Sequence, residues 1–397
     1  MGQQGQRGRS APSGPARGRR LAGAALVGCL AVASATLVPL AAAAAAAASP
    51  FSPPSFLSQF SKVTTVASTV PANGDENPYG IVVVPQTVGR LVSGDTLVSN
   101  FNNSANLQGT GTTIMEVAPS GSVSTFADLS GPLPGPCPGG VGLTTALTAL
   151  PGGWVVVGSL PTSDGTSATA QAGCLIVLNS AGVPVETWSG GNINGPWDLT
   201  SVSDAVGAEI FVANVLNGTV ANSPATVDQG TVVRLDVRFH PGQSPALVGS
   251  TVIANGFPER TDPAALVVGP TGLAFGCGGQ LYVADTVNNR IAVIPFAVWR
   301  WSPLGGGGIT LSSGGALSGP LGLALAPDGD VLAANGGNGN LVEVTPFGRQ
   351  VASPQVDPAG AGGDLFGLAI APYGHGVLFV DDGDNTLKLF GPGPGSW

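Results

Sequence analysis

A five-residue pattern, Gly-Pro-x-Gly-Leu, returns along this chain and constrains its architecture more than any other feature. Clear copies occupy residues 269–273 and 319–323, and looser copies begin near residues 77, 140, 195 and 364. Each copy is followed by a short apolar run, a turn, a second apolar run and a loop rich in Asn or Asp. Self-similarity of this kind indicates a repeat architecture.

The copy at residues 269–273 predicts how one repeat folds. Residues 271–275 and 280–284 form two strands around a Gly-rich turn, residues 290–295 form a third, and a weaker fourth ends near residue 312. Such a meander leaves both faces of its sheet uncovered, and radial stacking of several meanders buries them. The spacing predicts six blades, over residues 77–130, 139–190, 194–256, 268–314, 318–358 and 363–391.

The last repeat has room for three strands only. Residues 62–70 form a lone apolar run ahead of the first repeat, and we predict that they pair with residues 386–390. This pairing hides two strand edges that would otherwise invite aggregation. The predicted fold is therefore all-β: a six-bladed β-propeller of four-stranded antiparallel blades, over residues 62–397, closed by an N-terminal strand. Residues 49–61 are predicted as a linker.

The first 48 residues differ from the rest in charge. Of the 14 Lys and Arg residues of the chain, five lie in residues 1–48, which leaves nine against 23 acidic residues and a formal net charge of −14. Such an acidic body argues against nucleic-acid binding. The uncharged stretch over residues 21–48 follows a basic segment and ends in small residues, which predicts an export signal and a secreted, extracellular protein. A retained membrane anchor, a twin-arginine signal at Arg19-Arg20 and a lipoprotein signal at Cys29 are the alternatives.

Three cysteines follow the predicted signal, and export would place them in an oxidising compartment. Cys137 lies just before the first strand of its repeat, and Cys174 opens the third strand of the same repeat. These two points share one rim of an antiparallel unit, whereas Cys277 falls in a turn on the opposite rim. We therefore predict a Cys137–Cys174 disulfide, with three unpaired thiols as the alternative.

Several repeats resemble the NHL repeat. Residues 269–293 contain Leu-Tyr-Val-Ala-Asp and Asn-Asn-Arg-Ile, and residues 321–344 and 366–390 are similar. The resemblance implies a β-propeller and says little about activity.

Polar residues at the starts of first strands and after second strands should share one rim, here called the top rim. Six-fold arrangement would direct them toward one channel mouth, and oxygen ligands of this type suit Ca²⁺. The alternative is that Asp and Asn cap turns. We take Glu76, Asp198, Asp285 and Asp382 as candidate metal ligands, and Asn100, Asn194, Asn214 and Asn335 as candidate ligand-binding residues.

The segment Glu76-Asn77-Pro78 resembles the Glu-x-Pro segment of senescence-marker-protein and gluconolactonase-type propellers. That resemblance implies a central divalent cation that activates water for hydrolysis. The family's Asn-Gly-Leu ligand position reads Thr271-Gly272-Leu273 here. The two histidines, His240 and His375, fall in turns away from the top rim, which disfavours histidine-based catalysis.

Three aromatic residues, Tyr79, Trp197 and Phe366, occupy one repeat position just inside the top rim. They form either a stacking floor for a flat ligand or a plug between blades. Residues 299–301, Trp-Arg-Trp, lie in an outer hairpin and suit a partner contact, although we expect one of the two Trp side chains to be buried against the next blade.

Two functions follow from these observations. The first is a non-catalytic, monomeric binding scaffold that recognises a small molecule or a protein at its top rim, with membrane contact only if the N-terminal segment is retained. The second is a divalent-metal-dependent, lactonase-like hydrolase. The fold alone does not choose between them.

Overall fold

The computed structural model describes residues 54–359 and 364–392. The predicted export signal and Cys29 lie outside these residues. Within them, no helix is long and apolar enough to span a membrane.

Six antiparallel sheets, blades I to VI, make up the described part of the chain. In blades I to V the first strand is followed in order by the second, third and fourth, so each blade is a meander. This confirms the predicted six-bladed β-propeller. Blade I contains β2 (Glu76–Val83), β3 (Thr96–Asn102), β4 (Thr113–Val117) and β5 (Val123–Asp128), and blade II contains β6 (Leu143–Leu150), β7 (Trp154–Ser159), β8 (Cys174–Leu178) and β9 (Pro184–Ser189). Blade III contains β10 (Pro196–Ser203), β11 (Gly207–Asn214), β12 (Val227–Arg238), β13 (Ala246–Asp262) and β14 (Leu266–Val268), and blade IV contains β15 (Pro270–Phe275), β16 (Leu281–Asp285), β17 (Arg290–Ile294) and β18 (Ile309–Ser313). Blade V contains β19 (Pro320–Leu325), β20 (Val331–Asn335), β21 (Leu341–Val344) and β22 (Gln350–Ala352), and blade VI contains β23 (Leu365–Ile370), β24 (Val377–Asp381), β25 (Thr386–Gly391) and β1 (Lys62–Ser68).

The N-terminal strand closes the ring, as predicted. β1 pairs antiparallel with β25, from Lys62 opposite Gly391 to Ser68 opposite Thr386. Part of the predicted linker is also packed: a 3₁₀ turn over Leu57–Gln59 precedes β1, and the Phe56 and Leu57 side chains are buried between blades V and VI. The chain ends therefore join through both backbone hydrogen bonds and an apolar contact.

Blade III is longer than predicted. Its fourth strand, β13, has 17 residues, and a fifth strand, β14, pairs with its end through Thr261 opposite Val267. Residues 263–265 form the connection between these strands. This extension brings Ala265–Val268 into the apolar cluster at the top of the propeller axis.

The second Gly of the repeated pattern is required by contact between neighbouring first strands. A Cβ atom on Gly322 would lie 2.1 Å from the carbonyl oxygen of Phe366, and one on Gly367 would lie 2.5 Å from that of Tyr79. Real Cβ atoms do not approach so closely. Four blades have Gly at this position (Gly80, Gly272, Gly322 and Gly367), and in these blades the absence of a Cβ lets the first strand approach its neighbour at the axis.

The disulfide joins Cys137 to Cys174 within blade II, with a Cα–Cα distance of 5.2 Å. It links the segment before β6 to the first residue of β8, the two points that the sequence places on one rim.

Candidate functional site

The polar residues after second strands form a ring of equivalent positions on the top rim. Pro196 pairs with Asn214, Pro270 with Asp285, and Leu365 with Asp381. The blade VI member is therefore Asp381 and not Asp382, a shift of one residue from the predicted phase. Blade II contributes a residue that the sequence analysis missed. The full ring is Asn100, Ser159, Asn214, Asp285, Asn335 and Asp381, and all six are buried.

Members of this ring bind backbone at the starts of blades. Asn100 Nδ2 donates to the Thr69 carbonyl at 3.0 Å, and Asn335 Nδ2 donates to the Ala316 carbonyl at 2.7 Å. Asn214 Oδ1 accepts the Asn194 amide at 2.8 Å. These contacts match the turn-capping alternative, because each side chain replaces a backbone partner that an irregular segment lacks.

The two carboxylates of the ring form ion pairs with cations on the adjacent strand. Asp285 Oδ2 accepts from Arg290 Nε at 2.6 Å, and Asp381 Oδ2 accepts from Lys388 Nζ at 2.6 Å. These partners occupy oxygens that a metal ion would need, although Asp285 Oδ1 has no hydrogen-bond partner.

The four predicted metal ligands do not converge on one point. Glu76 is half-buried at the start of β2, Asp285 is paired with Arg290, Asp382 lies beyond the end of β24, and Asp198 faces the central channel. Among residues 54–359 and 364–392, one group of three acidic side chains has its oxygens within 4.8 Å of one another: Asp328, Asp330 and Glu343. It contains none of the four predicted ligands.

The aromatic residues inside the top rim form a packed cluster. The Tyr79 and Phe366 rings stack at 3.7 Å between centroids, and Phe101 stacks on the other face of Tyr79 at 4.4 Å. Trp197 Nε1 donates to the Val267 carbonyl at 3.0 Å, which ties β14 to the cluster. Tyr79, Trp197 and Phe366 are at most 3% exposed. We call this cluster of Tyr79, Phe101, Trp197, Val267 and Phe366 the plug, because it fills the top of the axis.

A central channel of about 300 Å³ lies beneath the plug. The first strands of all six blades line it. Residues at the far ends of these strands, including Val83, Leu325 and Ile370, are half-exposed, whereas the plug residues are buried. The channel is therefore closed at the top and reaches the opposite rim, here called the bottom rim, where first-to-second and third-to-fourth strand turns lie.

Asp198 is the one acidic side chain that lines this channel, among the residues that the structure describes. It stands at the repeat position that Gly272 and Gly322 fill in other blades. Its Oδ2 accepts the Leu273 amide of blade IV at 2.8 Å, and its Oδ1 accepts the Leu199 amide at 2.8 Å. The sequence analysis placed Asp198 on the top rim as a polar residue at the start of a first strand. An acid in a Gly position of the repeat is the signal that could have distinguished it.

Burial raises the pKa of Asp198 to about 7, and the two backbone amides oppose part of this effect. A carboxyl group with a pKa near neutrality exchanges protons readily at physiological pH. Apolar side chains such as Leu199, Leu273 and Leu323 form much of the surrounding wall, with Thr145 and Thr200 as polar neighbours.

Other acids also have a raised pKa, and three of them, together with Asp198, predict how the stability of the folded protein depends on pH. Burial is the main cause in raising the pKa of Glu259 to about 7, that of Asp382 to about 8 and that of Asp330 to about 6. Between the unfolded and folded pKa values the folded protein binds more protons, so stability falls as pH rises from about 4 to about 8. We expect the Tm to be about 5 °C higher at pH 5.5 than at pH 8.5 in calorimetry.

The Asp198→Asn variant serves as the control for this dependence. It should show a shallower fall in Tm over the same interval, since one of the raised groups no longer titrates. A Tm that is flat or rises with pH would contradict the prediction.

Residues 268–294 match the NHL repeat. No curated protein matches the chain in sequence.

Solved structures match at the level of the fold. A gluconolactonase from Xanthomonas campestris superposes with a TM-score of 0.52 at 15% identity, covering 83% of this chain and 89% of its own. Regucalcin from Agrobacterium tumefaciens, a calcium-binding protein, gives 0.51 at 15% identity, covering 84% and 97%. A PQQ-bound aldose sugar dehydrogenase from Streptomyces coelicolor gives 0.50 at 17%, covering 83% and 97%. At these identities the likeness shows the propeller fold alone.

Proposed function

Starting from a six-bladed propeller that carries an NHL repeat, we propose that this protein hydrolyses a small cyclic ester bound in its central channel. The observation that carries the proposal is Asp198, the acid at the closed end of the channel, with a pKa near 7. The site lies beneath the plug and differs from the top-rim metal site that the sequence suggested.

Asp198 acts as the general base in this proposal. Its carboxylate removes a proton from a water molecule while the water oxygen attacks the ester carbonyl carbon. The ring C–O bond then breaks, and the protonated Asp198 returns the proton to the leaving alkoxide. The product is an open-chain hydroxy acid, and the carboxylate is regenerated. No metal ion enters the scheme.

The channel limits the substrate in size and polarity. A volume of about 300 Å³ holds a small molecule at the lower end of the range of ligand sites. The walls favour an alkyl or other apolar substituent on the ring, because Leu147, Leu273 and Phe275 line them. The gluconolactonase that shares the fold acts on a lactone by its name, and this supports lactones as the class to test first.

The test is turnover of γ- and δ-lactones with alkyl chains of increasing length. We expect Asp198→Asn to lower kcat/KM at least about 100-fold, because a general base contributes that much or more. The wild-type rate should rise with pH through an inflection near 7, since the deprotonated form is active. Asp228→Asn, at an exposed acid on the top rim, is the matched control and should leave the rate unchanged.

A chelator separates this scheme from a metal-dependent one. We expect EDTA to leave the rate of lactone turnover unchanged. Loss of turnover in EDTA would favour the divalent-metal hydrolase. Full turnover by Asp198→Asn would refute the proposal.

Binding without chemistry in the same channel is the second candidate. Both oxygens of Asp198 hold backbone amides, which suits a fixed recognition group. Saturable lactone binding, lost in Asp198→Asn and without product formation, would select this function.

We also propose that the protein acts outside the cytoplasm. The Cys137–Cys174 bond supports an oxidising compartment. Detection of the folded protein in the extracellular fraction would test it.

A further inference from the structure

Exposed large hydrophobic side chains are concentrated on the bottom rim. Thirteen such side chains occur among the described residues, and the topology places 11 of them on turns or strand ends at this rim. Val70 and Leu107 are the two on the top rim. The eleven are Val92 and Val123 in blade I, Val183 in blade II, Val206 and Val248 in blade III, Phe296, Trp299, Trp301 and Ile309 in blade IV, Phe347 in blade V and Tyr373 in blade VI.

The aromatic members occupy three consecutive blades. Trp301, Phe347 and Tyr373 are 82%, 96% and 95% exposed, each on a turn of a different blade. The turn at Gly348 lies against Leu311 of blade IV, and Gly374 lies near Pro327 of blade V. These three turns therefore lie on neighbouring blades at the bottom rim, and this region is here called the aromatic sector. On its other side, the Trp301 ring contacts the Arg234 guanidinium of blade III at 5.3 Å.

Exposed cations share the bottom rim. Lys62, Arg90, Arg238 and Arg349 are the four exposed Lys and Arg residues of the described chain, and all four lie there. Within the part of the chain that the structure describes, none of the four has an acidic partner within 4 Å, although the Arg90 guanidinium donates to backbone carbonyls such as that of Thr125 at 2.9 Å. The cations at the top rim, Arg260, Arg290 and Lys388, are each ion-paired.

Exposed acids are distributed in the opposite way. Asp128, Asp164, Asp228 and Asp384 lie at the top rim, and Asp204 and Asp328 lie at the bottom rim. Counted over these exposed side chains, the bottom rim carries four positive and two negative charges, and the top rim carries four negative charges. Two half-exposed acids, Asp95 and Asp330, also lie at the bottom rim. The exposed charge is therefore less negative at the bottom rim than at the top rim.

We propose that the bottom rim docks on an anionic phospholipid surface through the aromatic sector. Trp, Tyr and Phe prefer the boundary between lipid and water, and unpaired Lys and Arg attract anionic headgroups. The acidic top rim then faces away from the membrane.

The sector covers one side of the rim, so docking tilts the propeller and leaves the channel mouth beside the contact. Membrane docking is independent of lactone hydrolysis, since it involves residues outside the channel.

The test is quenching of tryptophan fluorescence by vesicles whose acyl chains carry bromine. Phosphatidylcholine vesicles with about 30% phosphatidylglycerol should quench the full chain roughly twofold. Pure phosphatidylcholine should quench it less. The Trp299→Phe/Trp301→Phe variant should lose the effect, which assigns it to the sector and excludes the N-terminal apolar segment.

A matched set of variants measures affinity. Trp301→Ser/Phe347→Ser/Tyr373→Ser should lower vesicle partitioning at least about tenfold. Val70→Ser/Leu107→Ser, on the top rim, should leave it unchanged. These side chains are exposed, so folding should be unaffected, and unfolding midpoints check this. Equal partitioning of the triple variant and the parent would overturn the proposal. So would a concentration-dependent dimer that the triple variant abolishes, which would assign the sector to a protein contact.

Discussion

Replacing Glu343 with Ala is expected to lower the free energy of unfolding by about 3 kcal/mol or more. Glu343 is fully buried in β21 of blade V. Its two carboxylate oxygens accept the backbone amides of Phe56 and Leu57 at 2.8 and 2.6 Å. Removal of the carboxylate leaves two buried donors without acceptors, and each such donor costs about 1–3 kcal/mol.

The effect should reach the closing strand, because Phe56 and Leu57 lead directly into β1. Denaturant unfolding measures the change in free energy, and hydrogen exchange of the β1 amides reports whether ring closure loosens. Glu343→Gln should fall between Ala and the parent, since its amide retains one acceptor oxygen.

Glu186→Ala provides the matched control. Glu186 is half-exposed and accepts one hydrogen bond, from Ser244 Oγ at 2.8 Å. Its loss should cost under about 1 kcal/mol. Equal destabilisation by the Glu343 and Glu186 substitutions would show that the N-terminal segment does not anchor the ring.

Replacing Gly322 with Ala is the second large effect, with an expected loss of about 3 kcal/mol. The new Cβ would lie 2.1 Å from the Phe366 carbonyl oxygen, a backbone atom that cannot rotate away. The first strands of blades V and VI would have to move apart where they meet at the axis, and this movement would disturb the packing of the plug. The measurement is the unfolding free energy, together with near-ultraviolet circular dichroism of the aromatic cluster.

Gly131→Ala is the control for this substitution. A Cβ there meets no atom within 4 Å, and the residue has no positive φ. The change should be neutral or slightly stabilising, because Ala restricts the unfolded chain. Similar stability of the two variants would contradict the role given to the repeated Gly.

Much of the fold could be predicted from the sequence because its determinants are local. Each copy of the repeated pattern marks a first strand, and the turns after it fix the meander. The missing strand of the last repeat and the spare strand at residues 62–70 complement one another. The candidate site could not be derived in this way, because it depends on how far along the axis each residue lies and on whether its side chain faces the channel.

Two residues show the limit. Asp382 and Asp381 are adjacent, and the strand pairing of Leu365 with Asp381 decided which one belongs to the ring. Asp198 looked like a top-rim ligand, yet it lies beneath the plug because Trp197 and Val267 close the axis above it. The extension of blade III that supplies Val267 has no counterpart in the repeat.

The sequence by itself determined the number of blades, the order of their strands and the closure of the ring, since strand formation and edge pairing depend on neighbours within one or two repeats. Only the tertiary structure decided that the axis is sealed at the top and open below, and that Asp198 is the one acid lining the channel among the described residues. The physical reason is that side chains from six separate repeats meet at the axis, and their sizes there are independent of the pattern that forms each blade.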